Sequence, residues 1–343
     1  MTLPYGKNDS LFSRTQILLS LFSLFCMLLL LRNAATAAQY ILQGLVLCAR
    51  TVVPALFPFL VLSEWFLAVS GNGLLLQRVF TPLCRLFSLP PAGCQALLLG
   101  LLCGFPVGTL CALGAYGHGE ISARECEHIL ACGSPPSAAF VIGAVGISLF
   151  GSRRLGITLY LCTLAVCVLF AILLGILQKR ETAANPSAPA SYTPVGGAKG
   201  FTNAVRASAE KMLLICAYVI FFSALTGTVS LMLTRLQAPA PVHHLLGIAL
   251  ELSSGIHQAA NGQPTVYAAV LCAGALGWSG LSVHCQMLSL CDGYPLRFRS
   301  YFLLKLLQGL TCALILFLLL RTDPFHLLSN ATSPSAADWF YLI

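Results

Sequence analysis

Long apolar blocks alternate with short polar ones along the whole chain. The apolar runs occupy 15–31, about 40–70, 93–116, 135–150, 155–177, 211–233, 245–260, 265–291 and 301–320. A helix needs roughly 20 apolar residues to cross a bilayer, so most of these blocks predict spanning helices. Blocks 135–150 and 245–260 are short for a span and flanked by Gly, Pro or Ser, as re-entrant or half-helices are. Block 40–70 carries Pro54 and Pro58, which predict a kink.

Two uncharged stretches, 86–119 and 252–291, are apolar yet interrupted. The first contains Gly100-Leu-Leu-Cys-Gly-Phe-Pro-Val-Gly108 and the second Gly274-Ala-Leu-Gly-Trp-Ser-Gly-Leu-Ser-Val-His284. In hydrocarbon every backbone N–H and C=O needs a partner, so broken helices persist only where protein or a water-filled cavity covers them. Interrupted segments in both halves of a chain point to the substrate site of a secondary transporter.

Between the blocks, 74–88 and 121–130 read as interfacial connecting helices. The second opens on the capping box Ser122-Ala-Arg-Glu125, with Arg124, Glu127 and His128 on a solvated face. A Pro/Ala/Ser-rich linker, 179–200, divides the chain, and Gln237-Ala-Pro-Ala-Pro241 is a second breaker. The expected organisation is a tail and first helix over 1–39, one repeat over 40–178, the linker, a second repeat over 201–320 and a tail over 321–343. A shift of 176 lays Leu102-Cys-Gly-Phe over Trp278-Ser-Gly-Leu, and each half begins with a Phe-rich segment, which together favour a duplicated architecture. At the N-terminus, Ala35-Thr-Ala37 resembles a leader cleavage site, but the length of 15–31 and the intervening Arg32 favour a retained helix.

Composition agrees with the pattern: 57% hydrophobic and 9% charged residues, with mean hydropathy +0.85, place the chain among polytopic membrane proteins. The net charge of +8 sits in loops such as Arg153-Arg154, Lys179-Arg180 and Arg297/Arg299. It reads as headgroup contact, not nucleic-acid binding. The 15 cysteines include no C-x-x-C pair and lie mostly inside apolar runs, so they act as small hydrophobes and imply neither a metal nor a cofactor.

The candidate chemistry is polar groups placed where they are costly. In Glu251-Leu-Ser-Ser-Gly-Ile-His-Gln258, Ser254 stacks with Gln258 and Ser253 with His257 at i,i+4, either lining a pocket or forming a polar seam. Glu251 sits either there or at headgroup level. In Trp278-Ser-Gly-Leu-Ser-Val-His-Cys-Gln286, Ser279, Gly280, Ser282 and Gln286 would surround the start of a half-helix whose positive end suits an anion. His284 either couples to pH or makes a structural hydrogen bond. In the first half, Gly104 and Gly108 form a G-x-x-x-G pair, and Pro106 between them favours a broken helix over simple packing. Ser134 and Ser137 flank a double proline as possible hydroxyl donors, and Glu64 reads as an ion site or a snorkelling end residue.

At these residues the sequence resembles the YlbJ/SpoVV sporulation integral membrane proteins, built on nucleoside-recognition or Gate domains. The resemblance covers roughly 40–320. It rests on Cys103-Gly-Phe-Pro-Val-Gly108, Gly119-Glu-Ile-Ser122, Ile142-Gly-Ala-Val-Gly146, Leu252-Ser-Ser-Gly-Ile-His257 and Gly280-Leu-Ser-Val-His-Cys-Gln286. It implies an all-α polytopic fold, a duplicated and inverted-repeat Gate-domain bundle with broken or re-entrant helices. It also implies export of dipicolinic acid across the outer forespore membrane. Where that family carries an Asn-rich turn, this chain has Cys132-Gly-Ser-Pro-Pro-Ser137, which removes amide donors. The expected function is secondary transport of a small organic anion, with a nucleoside or other polar metabolite, or a non-transporting scaffold, as alternatives. No enzyme motif, Walker loop or metal set is present. The expected partners are the anion and the bilayer, with a homo-oligomer allowed.

Overall fold

The computed structural model describes residues 14–70, 83–177, 197–260 and 265–322. Most of the linker 179–200, the connecting helix 74–88 and the C-terminal tail lie outside the described residues. The described chain is helical, and no strand occurs in it. In order the elements are α1 (Arg14–Arg32), α2 (Ala34–Leu47), a π-turn (Cys48–Val52), α3 (Val53–Ser70), α4 (Pro91–Cys103), α5 (Val107–Gly117) and α6 (Ala123–Cys132). A π-helical segment (Ala139–Leu149), α7 (Arg153–Leu177), α8 (Gly197–Arg235), α9 (Ala240–Leu250), α10 (Leu252–Ala259), α11 (Val266–Trp278), α12 (Gly280–Leu290) and α13 (Arg299–Arg321) follow.

Four helical stretches among the described residues are long and apolar enough to cross a membrane: Arg153–Leu177, Ala198–Arg235, Val266–Leu290 and Arg299–Arg321. The pair Gln16–Arg32 and Ala34–Val52 makes a fifth if counted as one span, bent by 97°. The bend falls at Asn33, whose Nδ2 donates to the Leu29 carbonyl. The protein is an integral membrane protein of all-α construction, and its outward faces carry the leucine and phenylalanine that lipid requires, as on α1 and α13. The kink in block 40–70 takes the form of the π-turn. Pro54 has no N–H to continue the ladder, and the wider turn just before it absorbs the defect.

The element order repeats on the two sides of the linker. A long helical run (α2–α3 or α8) is followed by a broken helix (α4/α5 or α9/α10), a second broken helix (α6/π or α11/α12) and a long closing helix (α7 or α13). A shift of 147 places Gly100, Gly104, Gly108 and Gly133 on Gly247, Glu251, Gly255 and Gly280. The shift of 176 suggested by the sequence instead pairs the first break of one half with the second break of the other. The physical basis of the repeat is a hairpin. In each first broken helix, glycines four residues before and after the break let the two arms touch. A Cβ on Gly100 would lie 2.8 Å from the Gly108 Cα, and one on Gly255 would lie 2.6 Å from the Gly247 carbonyl carbon.

The cores interleave the halves. The cluster around α4, α5, α6 and α7 also takes in Met287, Cys291 and Tyr301 from the second half. A second cluster joins Val141 and Leu159 to Ala269 and Leu276. Helix α6 departs from the expected solvated connector. Its capping box forms, with Glu125 N bonding Ser122 Oγ and Ser122 N bonding Glu125 Oε2, but His128 is buried with Ile129 and Leu130. Five of its ten residues are apolar or cysteine on the core side, and this outweighs the three charged positions.

Gly108→Ala should therefore destabilise the protein by about 1–3 kcal/mol through overpacking against the Gly133 carbonyl. Gly114→Ala, with nothing within 4 Å of the added methyl, should melt like wild type in detergent.

Candidate functional site

Each half brings its own two breaks together. In the first half, Gly104 has φ 80° and lies so close to the other break that a Cβ would meet the Pro135 carbonyl at 2.9 Å. Phe105 N donates to that carbonyl at 2.9 Å. In the second half, Gly280 (φ 80°) abuts the backbone of Glu251 and Leu252.

The loose ends of the half-helices are satisfied by side chains. The Glu251 carboxylate caps α10: Oε1 accepts from Ser253 N (3.0 Å), and Oε2 accepts from Ser254 N (2.6 Å) and Ser254 Oγ (2.7 Å). At the opposite dipole end, at the C-terminus of α6 and just past it, Gln308 Nε2 donates to the Ala131 carbonyl (3.1 Å) and buried Lys305 of α13 to the Ser134 carbonyl (3.3 Å). A carboxylate thus meets a helix N-terminus, and an ammonium meets a carbonyl just past a helix C-terminus.

Two cavities open at these breaks. The smaller, about 70 Å³, is lined by Ser134, Ser137, Glu251, Ser253, Ser279 and Gln286, with apolar cover from Phe105 and Val52. The larger, about 730 Å³, lies between α2 with its π-turn, the π-helical segment, α8 and α10. Its polar wall is Arg50, Thr51, Ser223, Thr226, Ser230 and Ser254, joined by Tyr40, Gln43, His257 and Gln258. No carboxylate lines it, and Arg50 supplies a cation. Ser223 and Thr226 are buried, and their hydroxyls have no protein partner. Phe140 and Ser253 belong to both walls.

The residues singled out from sequence divide by place. Ser253, Ser254, His257 and Gln258 line the larger cavity, where Gln258 Nε2 donates to Ser230 Oγ at 3.1 Å. Ser134, Ser137, Ser253, Ser279 and Gln286 line the smaller one. Gly104, Pro106, Gly108 and Gly280 shape the breaks and line neither. Ser282 and His284 stand behind the wall: Ser282 Oγ accepts from Gln286 Nε2 (3.3 Å). His284 pairs Nδ1 with Tyr301 Oη (3.0 Å) among the rings of Trp278 and Phe302. Glu64 forms an ion pair with Lys211 of α8. Sequence reasoning passed over Arg50, Lys305 and Gln308. The signal for Arg50 and Lys305 was a basic residue within an apolar block, and for Gln308 an amide one turn beyond Lys305.

The chain is 26% identical to the sporulation integral membrane protein YlbJ of Bacillus subtilis (strain 168) over 362 aligned residues, covering 93% of this chain and 88% of that protein. No family model and no solved structure matches it.

The two shells predict different chemical access. Thr226→Cys and Ser254→Cys should react with a membrane-impermeant thiol reagent in intact vesicles above the wild-type baseline, which is set by cysteines that are all buried or half-buried. Ser282→Cys and His284→Cys should stay at that baseline.

Proposed function

We propose that this chain, which belongs to the family of the sporulation integral membrane protein YlbJ, is a secondary transporter of a small organic anion, dipicolinate foremost, acting during endospore formation. The observation that carries this reading is the larger cavity. Its volume of about 730 Å³ lies within the roughly 300–1,000 Å³ of small-molecule sites. It offers one guanidinium and many hydroxyl and amide donors, with no carboxylate in its wall. A flat dianion gains charge-assisted hydrogen bonds from such a wall. Ser223 and Thr226 supply donors that the protein leaves unpartnered. The cavity also lies between the two halves, where rocking of one against the other exposes a bound solute to alternate sides. With no ATP-binding loop in the sequence, a gradient or downhill flow drives the movement. The membrane in question is the outer forespore membrane, and the role is that of a carrier, not an enzyme.

Flux of dipicolinate into proteoliposomes tests this. Wild type should show saturable uptake. Arg50→Gln should lower kcat/KM by about 10–100-fold, the worth of a charge-assisted hydrogen bond, and Ser254→Ala by a smaller factor. Undiminished flux in Arg50→Gln would shift the reading to a neutral polar metabolite such as a nucleoside. No flux of any such solute from folded protein would leave a scaffold.

A further inference from the structure

The smaller cavity has a composition opposite to that of the larger one. It holds a carboxylate and no basic residue, and its polar lining is otherwise hydroxyls and an amide: Ser134, Ser137, Ser253, Ser279 and Gln286. Glu251 is 2% exposed. Its three hydrogen bonds come from the backbone of α10 and from Ser254, all neutral donors. Among the described residues no lysine, arginine or histidine forms an ion pair with it. Lys305 bonds the Ser134 carbonyl and is not among the residues that line the cavity. The N-terminal end of α10 offsets part of the charge of this buried carboxylate, and a cation would offset the rest.

An independent observation marks the same space. Ser279 is 2% exposed and lines the cavity, and its hydroxyl has no hydrogen-bond partner in the protein. It also stands at φ 77°, in the left-handed region where glycine costs less. A serine thus lines the cavity at a position where glycine would suit the backbone better.

We propose that the cavity where the breaks meet binds a monovalent metal cation, with sodium as the reference ion, through the Glu251 carboxylate and the Ser279 hydroxyl. The ligands are hard oxygen donors, which select a hard cation over a soft one. One positive charge neutralises the single carboxylate, whereas a divalent ion would leave buried charge uncompensated. A volume of about 70 Å³ admits an ion with one or a few waters, since one water occupies about 10–15 Å³ on this measure. Glu251 and Ser279 belong to the first and second breaks of the same half, so the ion bridges them. The site adjoins the anion cavity across Phe140 and Ser253, but neither proposed ligand, Glu251 or Ser279, lines that cavity, and its occupancy is measurable without any organic solute.

The experiment is ²²Na⁺ equilibrium binding to the purified full-length protein in detergent, paired with thermal unfolding in NaCl against choline chloride at equal ionic strength and fixed pH. Wild type should bind sodium saturably and melt higher as sodium rises past its Kd. Ser279→Gly removes the hydroxyl while suiting the local φ. It should weaken sodium binding by about tenfold, one good ligand's worth, yet melt no lower than wild type in choline. Glu251→Gln should abolish the sodium-dependent shift. Absence of saturable binding in wild type overturns the proposal, as does an unchanged sodium affinity in Ser279→Gly. A melting temperature that follows pH but not sodium also overturns it, because the occupant is then a proton.

Discussion

A backbone broken inside hydrocarbon has to find partners for its freed N–H and C=O groups within the protein. This requirement organises the fold. The helices are interrupted at Gly104, at 133–138, at Glu251 and at Ser279, and the interruptions in each half are packed against each other so that each helps cover the other's backbone. The remaining groups are met by side chains: Glu251 on the N-terminus of α10, Gln308 on a carbonyl of the last turn of α6, and Lys305 on the Ser134 carbonyl just past it. The glycine contacts on either side of the first breaks permit the hairpins that bring these ends together. The two cavities are the spaces left over, one lined by a cation and the other by an anion.

That division of charge follows from the capping arrangement. The carboxylate needed at α10 lies in the smaller space, so the larger space keeps a wall of donors with Arg50 as its charge. The π-turn that accommodates Pro54 carries Arg50 and Thr51 into the larger wall and Val52 into the smaller. A local backbone defect at a proline thereby sets the placement of the cation in that wall.

Much of this was legible in the sequence because breaks in apolar blocks are conspicuous. Gly104-Phe-Pro106, the double proline near Ser134 and the Gly280 region lie at interruptions, whereas Gly255, where a break was also expected, sits inside α10 four residues past the break at Glu251. Ser253 and Ser254 reach the cavities from the first turn of α10, and Gln258 and Gln286 from the second turns of α10 and α12. The correct internal register was harder to see, because one of the four equivalent pairs is Gly104 with Glu251, chemically unlike though structurally matched. Placement behind the wall was also hidden: Ser282 and His284 share a short helix with Gln286, and packing of His284 against Tyr301 and Phe302 turns it away from the cavity that Gln286 lines. Lys305 was obscured for a different reason. Its partner is a backbone carbonyl 171 residues away, and no local pattern reports a contact at that separation.

That separation has a bearing on how the protein is made. The caps for the break at 133–138 reside on α13, the last described helix, so the first half emerges from the ribosome with the carbonyls at the end of α6 and just past it still lacking Gln308 and Lys305. Until α13 arrives, those groups depend on water, on lipid headgroups or on the insertion machinery. This last described helix therefore closes both halves at once, and a chain ending before it would present the quality-control system with an uncapped break in a segment made long before.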